Sequence, residues 1–192
     1  MSKQDNTIND FITLFNAFWY RDFPLSESYK VLGSRAEWTI HIGSCVKSCA
    51  DMLGYFTYFE SGIRTDAVIK DNLENDIAHI EWEWWQPHND KVNEIKKLLS
   101  KKDDTKFSVF FSYSREDSHG KNMDSIQKQW GKSPNPLVVF LITFKYEKRS
   151  RWFHNLETYI VKNGKTKQIR SQSALPWDKA GTRWEILSNK NK

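Results

Sequence analysis

Long apolar runs are missing from this 192-residue chain. The longest, Leu137–Ile142, is far short of the roughly 20 residues a helix needs to cross a bilayer, and nothing near the start joins a basic flank to an apolar stretch. A soluble, intracellular protein of the cytoplasm with no membrane partner is therefore expected. Cysteine is nearly absent too, with Cys45 and Cys49 the two present. They stand four apart within one expected helix, where parallel side-chain directions disfavour a disulfide. With His41 they make a His-x3-Cys-x3-Cys stripe, but structural zinc takes four ligands from more than one element. A packed helix face with buried thiols is the expectation. Glycines and prolines fall singly at apparent turns, and there is no internal repeat or low-complexity tract. Also missing are a Walker-type P-loop, a dinucleotide Gly-x-Gly-x-x-Gly, a Gly-x-Ser-x-Gly elbow and a His-Glu-x-x-His pair, which removes several common enzyme classes.

What the chain does contain is 39% hydrophobic residues, enough for one compact domain burying roughly 70% of its unfolded surface. Charge is spread unevenly. Residues 1–100 hold 10 Lys/Arg against 15 Asp/Glu, a net of −5, and residues 101–192 hold 19 against 9, a net of +10, summing to +5. A basic half suits a polyanion such as nucleic acid, and an acidic half is where a divalent cation is held.

Apolar residues at helical spacing predict a helix over Thr7–Tyr20 and another over Ser34–Leu53, the second ended by Gly54. From there the period becomes that of strands in GYFTYFES, TDAVIKD and IAHIEWEWW. Pro87–Ser100 reads as a helix, Lys106–Tyr113 as a strand, Asn122–Trp130 as a weak helix and Pro136–Tyr146 as a strand. Trp152–Val161 and Lys165–Ser173 read as a hairpin around Asn163-Gly164. The order implies an α/β fold, a mixed central sheet flanked by helices. The expected organisation is one domain over residues 1–188, with an N-terminal helix at 7–20, a core at 34–146, a β extension at 147–188 and a disordered tail at 189–192.

Within IEWEWW, alternation puts Ala78, Ile80, Trp82 and Trp84 on one face of the strand and His79, Glu81 and Glu83 on the other. The first group is expected to be core, which also suits the tryptophans better than ligand stacking. The two glutamates are then about 6–7 Å apart at their Cα atoms, and Asp66 opens the preceding strand about 5 Å away. Such hard oxygen ligands, completed by waters and a phosphate, suit Mg²⁺ in phosphodiester cleavage. Alternation on a half-exposed strand would equally leave both glutamates facing solvent.

An acid-bearing helix (Glu37), a strand, an Asp opening the next strand (Asp66), an acid-x-acid strand (Glu81-Trp82-Glu83), a helix and a further strand together resemble the PD-(D/E)XK nucleases over roughly Ser34–Tyr113. The resemblance implies a restriction endonuclease-like αβββαβ core, here with extra C-terminal strands. It implies catalytic residues Glu37, Asp66, Glu81 and Glu83, with Asp66 and Glu81 binding Mg²⁺ or Mn²⁺. Glu83 stands where that family usually has lysine, making this a Glu-x-Glu variant, and Thr65 replaces the usual proline. Lys70 shares the strand face of Asp66 but lies about 13 Å along it, too far to serve the same ion. Glu83 is therefore expected to orient or deprotonate the attacking water.

Arg64 precedes Asp66 and is a candidate for phosphate contact, or for a structural pair with Glu60 or Asp66. Lys145, Lys148, Arg149 and Arg151 lie in a run that mixes cations with aromatics, as nucleic-acid surfaces do, and Lys162, Lys165, Lys167 and Arg170 repeat the bias. The first expectation is a metal-dependent endonuclease acting on DNA, with RNA a further candidate and a homodimer natural for cutting both strands. The alternatives are a non-catalytic nucleic-acid-binding or regulatory protein on the same scaffold, and a small α/β interaction protein whose acids lie on the surface.

Overall fold

The apolar spacing at the start of the chain produces two long helices, α1 (Lys3–Arg21) and α2 (Arg35–Met52), in the computed structural model, which describes residues 3–21, 23, 35–61, 65–147 and 150–181. Seven strands follow: β1 (Phe56–Ser61), β2 (Thr65–Lys70), β3 (Asp76–Glu83), β4 (Phe107–Arg115), β5 (Leu137–Glu147), β6 (Ser150–Lys162) and β7 (Lys165–Ser173). Helix α3 (Glu94–Ser100) lies between β3 and β4, and α4 (His119–Trp130) between β4 and β5. Strand pairs of both directions occur, so the fold is mixed α/β. The described residues divide into two compact units, Met1–Ile80 with Asp104–Lys106, and Glu81–Asp103 with Phe107–Lys192. No helix among the described residues is long and apolar enough to cross a membrane.

In the first unit, Ile8, Phe11, Ile12, Phe15 and Trp19 recur every three or four residues, forming the buried stripe of α1. Trp38, Ile42, Cys45 and Cys49 do the same on α2. The stripes meet, with the Trp19 and Trp38 rings stacked at 5.4 Å and the Cys49 thiol facing the Phe11 carbonyl at 4.0 Å. The His41-Cys45-Cys49 stripe is therefore core, as the spacing predicts, and both thiols are unbridged. Strands β1, β2 and β3 form an antiparallel meander, and α2 approaches β1 closely at Gly43, where an added Cβ would sit 3.3 Å from the Phe59 ring.

In the second unit, β4 and β5 run parallel, and β5, β6 and β7 are antiparallel. Parallel strands need a crossover, and α4 supplies it. One face of these strands packs on α3 and α4 through Phe110, Leu137, Val139, Leu141, Ile95 and Trp130. Each such fully buried side chain stabilises the fold by about 1.5–3 kcal/mol. Asn163 (φ 54°) and Gly164 (φ 72°) form the tight turn between β6 and β7, where two residues of positive φ suit the twist of the strands.

Several boundaries differ from the sequence reading: α1 begins at Lys3 instead of Thr7 and β6 at Ser150 instead of Trp152, and three further differences have a local cause or bear on the site. Of the helix expected over 87–100 only Glu94–Ser100 forms, because the Asn89 carboxamide accepts the Lys91 amide at 3.0 Å and offers the backbone a turn instead. The helix expected to open at Asn122 starts at His119, after a 3-10 turn over Glu116–Ser118. β3 stops at Glu83 instead of running through Trp85, and the Glu83 side chain is the reason given below. The expected tail at 189–192 lies outside the described residues.

Candidate functional site

The pairing of Val68 with His79 and of Ile69 with Ala78 gives β3 the alternation predicted for it. Both faces of β3 are buried from Ile77 to Glu81, so Ala78 and Ile80 are core as expected and His79 and Glu81 are buried as well, whereas Trp82 and Trp84 are only half-buried. The Trp84 ring lies 4.7 Å from that of Tyr113. Glu81 is 1% exposed and meets Lys97 of α3, its carboxylate 2.6 Å from the lysine Nζ. A carboxylate so far out of water needs a cation or strong donors beside it, since its desolvation alone costs several kcal/mol. Lys97 keeps 32% of its side chain exposed, so its ammonium joins a buried acid to solvent.

Glu83 shares the face of Glu81 but is held differently. Its Oε1 accepts the amides of Trp84 at 2.5 Å and Trp85 at 2.8 Å, which bends the chain out of the strand. Glu94, at the start of α3, is pushed above the usual carboxylate range by burial, with the Glu83 charge adding to it. The end of β3 and the start of α3 thus gather Glu81, Glu83, Glu94 and Lys97, all in the second unit.

The remaining sequence-derived acids belong to the first unit. Asp66 is half-buried on β2 beside Ala67, whose partner across the ladder is Ile80, and Glu37 is half-buried in the first turn of α2, where the helix dipole favours an acid. Lys70 pairs with Asp76 at 3.1 Å. Burial pushes the Asp76 carboxyl up, but the His79 ring, 2.7 Å away, and Lys70 more than reverse this and hold it below its usual range. Among the described residues no three His, Cys, Asp or Glu side chains gather as a metal cluster. Arg64, Lys148 and Arg149 lie outside the described residues.

Lys145 and Arg151 stand at the paired ends of β5 and β6, where Lys145 is opposite Trp152 and Tyr146 opposite Arg151. Lys145 is ion-paired with Glu147 at 2.5 Å, and the neighbouring Arg115 with Asp117 at 2.5 Å. Arg151 lies over the Tyr113, Phe144 and Tyr146 rings at 5.2, 5.3 and 5.7 Å. Arg115, Glu116, Asp117, Lys145 and Tyr146 line an open cleft of about 290 Å³ there. Acids face cations around it, so this cleft is close to neutral rather than basic.

Sequence reasoning missed two features. Lys97 was one cation among several in a helical pattern, and nothing in that pattern tells which residue meets β3. The other is a polar chain in the second unit. Asn122 donates to Gln86 at 3.0 Å and to Ser114 at 2.9 Å, the Ser114 hydroxyl meets His119 Nδ1 at 2.8 Å, and His119 Nε2 meets the Tyr159 hydroxyl at 3.1 Å. Tyr159 in turn donates to Glu157. This order resembles a nucleophile relay, but Ser114 is fully buried and offers its oxygen to no substrate. The chain instead ties α4 to the sheet. Serines 108, 112 and 114, recurring in an otherwise apolar strand, are the signal that marks this face.

No family model matches the chain, and no curated protein matches it. Among solved structures, the YaeQ protein from Xanthomonas axonopodis pv. citri is similar at 8% identity and TM-score 0.29, covering 80% of this chain and 89% of that one. The YaeQ protein from Pseudomonas syringae is similar at 11% identity and TM-score 0.27, covering 61% and 67%.

Proposed function

We propose that the chain is a metal-dependent nuclease that hydrolyses phosphodiester bonds in DNA in the cytoplasm, on a restriction endonuclease-like core of PD-(D/E)XK type. The order α2, β1, β2, β3, α3, β4 supports the reading. One observation carries it, the buried Glu81 carboxylate held 2.6 Å from Lys97 at the end of the third strand. A buried acid with a lysine reaching it from the solvent side gives two of the groups that phosphoryl hydrolysis uses beside its metal.

Mg²⁺ or Mn²⁺ takes oxygen ligands, one or two of them carboxylates, with waters and phosphate oxygens completing the shell. Glu81 is a donor of that kind, and Asp66 is the acid that the motif names as a further ligand. Glu83 is a poor third, since its Oε1 already accepts two amides. The bound ion would supply Lewis acidity at the phosphate and a water of lowered pKa. Lys97 fixes the Glu81 carboxylate and brings to this strand end the positive charge that Glu83 fails to supply at the motif's usual lysine position. There it favours the negative charge that grows on phosphate oxygens as the bond breaks. Glu37 keeps the supporting part that the motif gives its helix acid.

The test is incubation of the purified protein with supercoiled plasmid and with RNA, in Mg²⁺, Mn²⁺ or EDTA, beside Asp66→Ala and Glu81→Ala. Nicking of plasmid that EDTA and both substitutions abolish is expected. No cleavage by the wild type, or undiminished cleavage by the variants, sinks the proposal. A second reading, a non-catalytic nucleic-acid-binding protein on the same scaffold, is favoured by the neutralisation of Glu81 by Lys97. It expects salt-dependent binding without cleavage.

A further inference from the structure

Strand β7 and the end of β6 carry four cations, Lys162, Lys165, Lys167 and Arg170, and β7 itself has no acid. In a regular strand Lys165 and Lys167 would share a face and Arg170, three residues on, would point the other way. The register shows otherwise. Lys162 is opposite Lys165, Ile160 opposite Lys167 and Thr158 opposite Arg170, while Tyr159 is opposite Gln168. Residues directly opposite in an antiparallel pair point to the same side, and 158, 160 and 162 alternate regularly along β6. All four cations therefore share one face, because Ile169 is an extra residue in β7, a bulge that rephases Arg170.

The opposite face of β7 is neutral and engaged. Thr166 donates to Gln127 of α4 at 2.7 Å, and Gln127 donates to the Gly164 carbonyl at 3.0 Å. Lys165, Lys167 and Arg170 are exposed and, unlike Lys145 and Arg115, are in no ion pair with a carboxylate among the described residues. Along the row the cations recur at roughly 6–7 Å, the two-residue repeat of a strand. Successive phosphates of a nucleic-acid strand are separated by a distance of the same order.

We infer that this bulged, basic face of the β6–β7 hairpin is where the protein binds the phosphate backbone of a nucleic acid, in place of the cleft lined by Arg115, Glu116, Asp117 and Lys145, where acids balance cations. The inference rests on the nucleic-acid part of the proposed function and assigns the surface that part leaves open. Cations that neutralise phosphates release counterions, so log K falls with log[salt] with a slope of about −0.9 per contact on a duplex. Each lost contact then costs roughly eightfold in affinity at 0.1 M salt relative to 1 M.

The test is fluorescence anisotropy of the full chain with a labelled DNA duplex and an RNA duplex of equal length, between low and moderate NaCl. Lys165→Gln/Lys167→Gln/Arg170→Gln is expected to bind weaker and to flatten the salt slope by about 2–3. A second variant keeps the net charge but moves it to the other face, Lys165→Gln/Lys167→Gln/Gln168→Lys/Ser171→Lys, and is expected to bind as poorly as the corresponding double variant. Circular dichroism of each checks folding. If wild type binds or cuts nucleic acid while both variants match it, the hairpin assignment falls and the nucleic-acid reading stands. If wild type binds neither duplex at low salt, that reading falls and the assignment with it. Capture by phosphatidylserine vesicles in preference to either duplex overturns the assignment in favour of a membrane surface.

Discussion

Replacing Lys97 by methionine keeps the length of the side chain and removes its charge, leaving Glu81 buried without the ammonium 2.6 Å away. Breaking a buried ion pair from one side costs about 3–5 kcal/mol, because the remaining charge is uncompensated. Two facts lower that figure here. Lys97 is 32% exposed, so the pair is partly screened, and Glu81 makes further contacts of its own. A loss of about 2–3 kcal/mol at neutral pH follows. Glu81→Gln removes the charge from the other side, and the double variant is expected to cost less than the sum of the two by at least 1 kcal/mol, roughly the coupling of close charged neighbours. Urea unfolding followed by tryptophan fluorescence measures all three. The deficit of Lys97→Met should shrink in acid, since an unpaired buried carboxylate takes up a proton. A Lys97→Met variant within about 0.5 kcal/mol of wild type, or a coupling near zero, would refute the claim that this pair organises the end of β3.

Asp76→Asn is expected to destabilise the protein at neutral pH. With its folded pKa depressed below the ordinary 3.8, Asp76 contributes stability above that value and loses it as pH falls through the lower one, so the deficit should vanish in acid; a deficit constant with pH would contradict this. Burial drives the Cys49 thiol far up, against a smaller opposing effect of Arg21, so neither Cys45 nor Cys49 should react with a disulfide reagent until the protein is unfolded in guanidinium. Fast labelling of the native protein would show that α1 and α2 do not pack as described. Trp130→Ala should cost about 3–5 kcal/mol, because it opens a cavity under α4 and removes the indole donor to the Asn135 carbonyl; a loss below about 1 kcal/mol would contradict that core.

The elements were legible where one period dominates. Phe11, Phe15 and Trp19 mark a helix by spacing alone, and the apolar runs of β4 and β5 mark strands buried on both faces. What misled was a side chain competing locally with the pattern, as Asn89 does at the start of α3 and Glu83 does at the end of β3. The candidate site was legible as a face and not as a geometry. Alternation put Glu81 and Glu83 on one side, but which of them is buried, and that Lys97 meets it, depends on how α3 packs, a long-range fact with no local trace. The basic surface shows the same limit. Composition marks Lys165, Lys167 and Arg170, whereas the bulge that aligns them is a property of pairing with β6.

The central claim is that Glu81 serves a divalent ion. Crystals grown with Mn²⁺ and measured at a wavelength where manganese scatters anomalously test it directly. The account expects an anomalous peak on the Glu81 carboxylate, with Lys97 beside it. Glu81 still paired with Lys97 and no manganese on its carboxylate would contradict it.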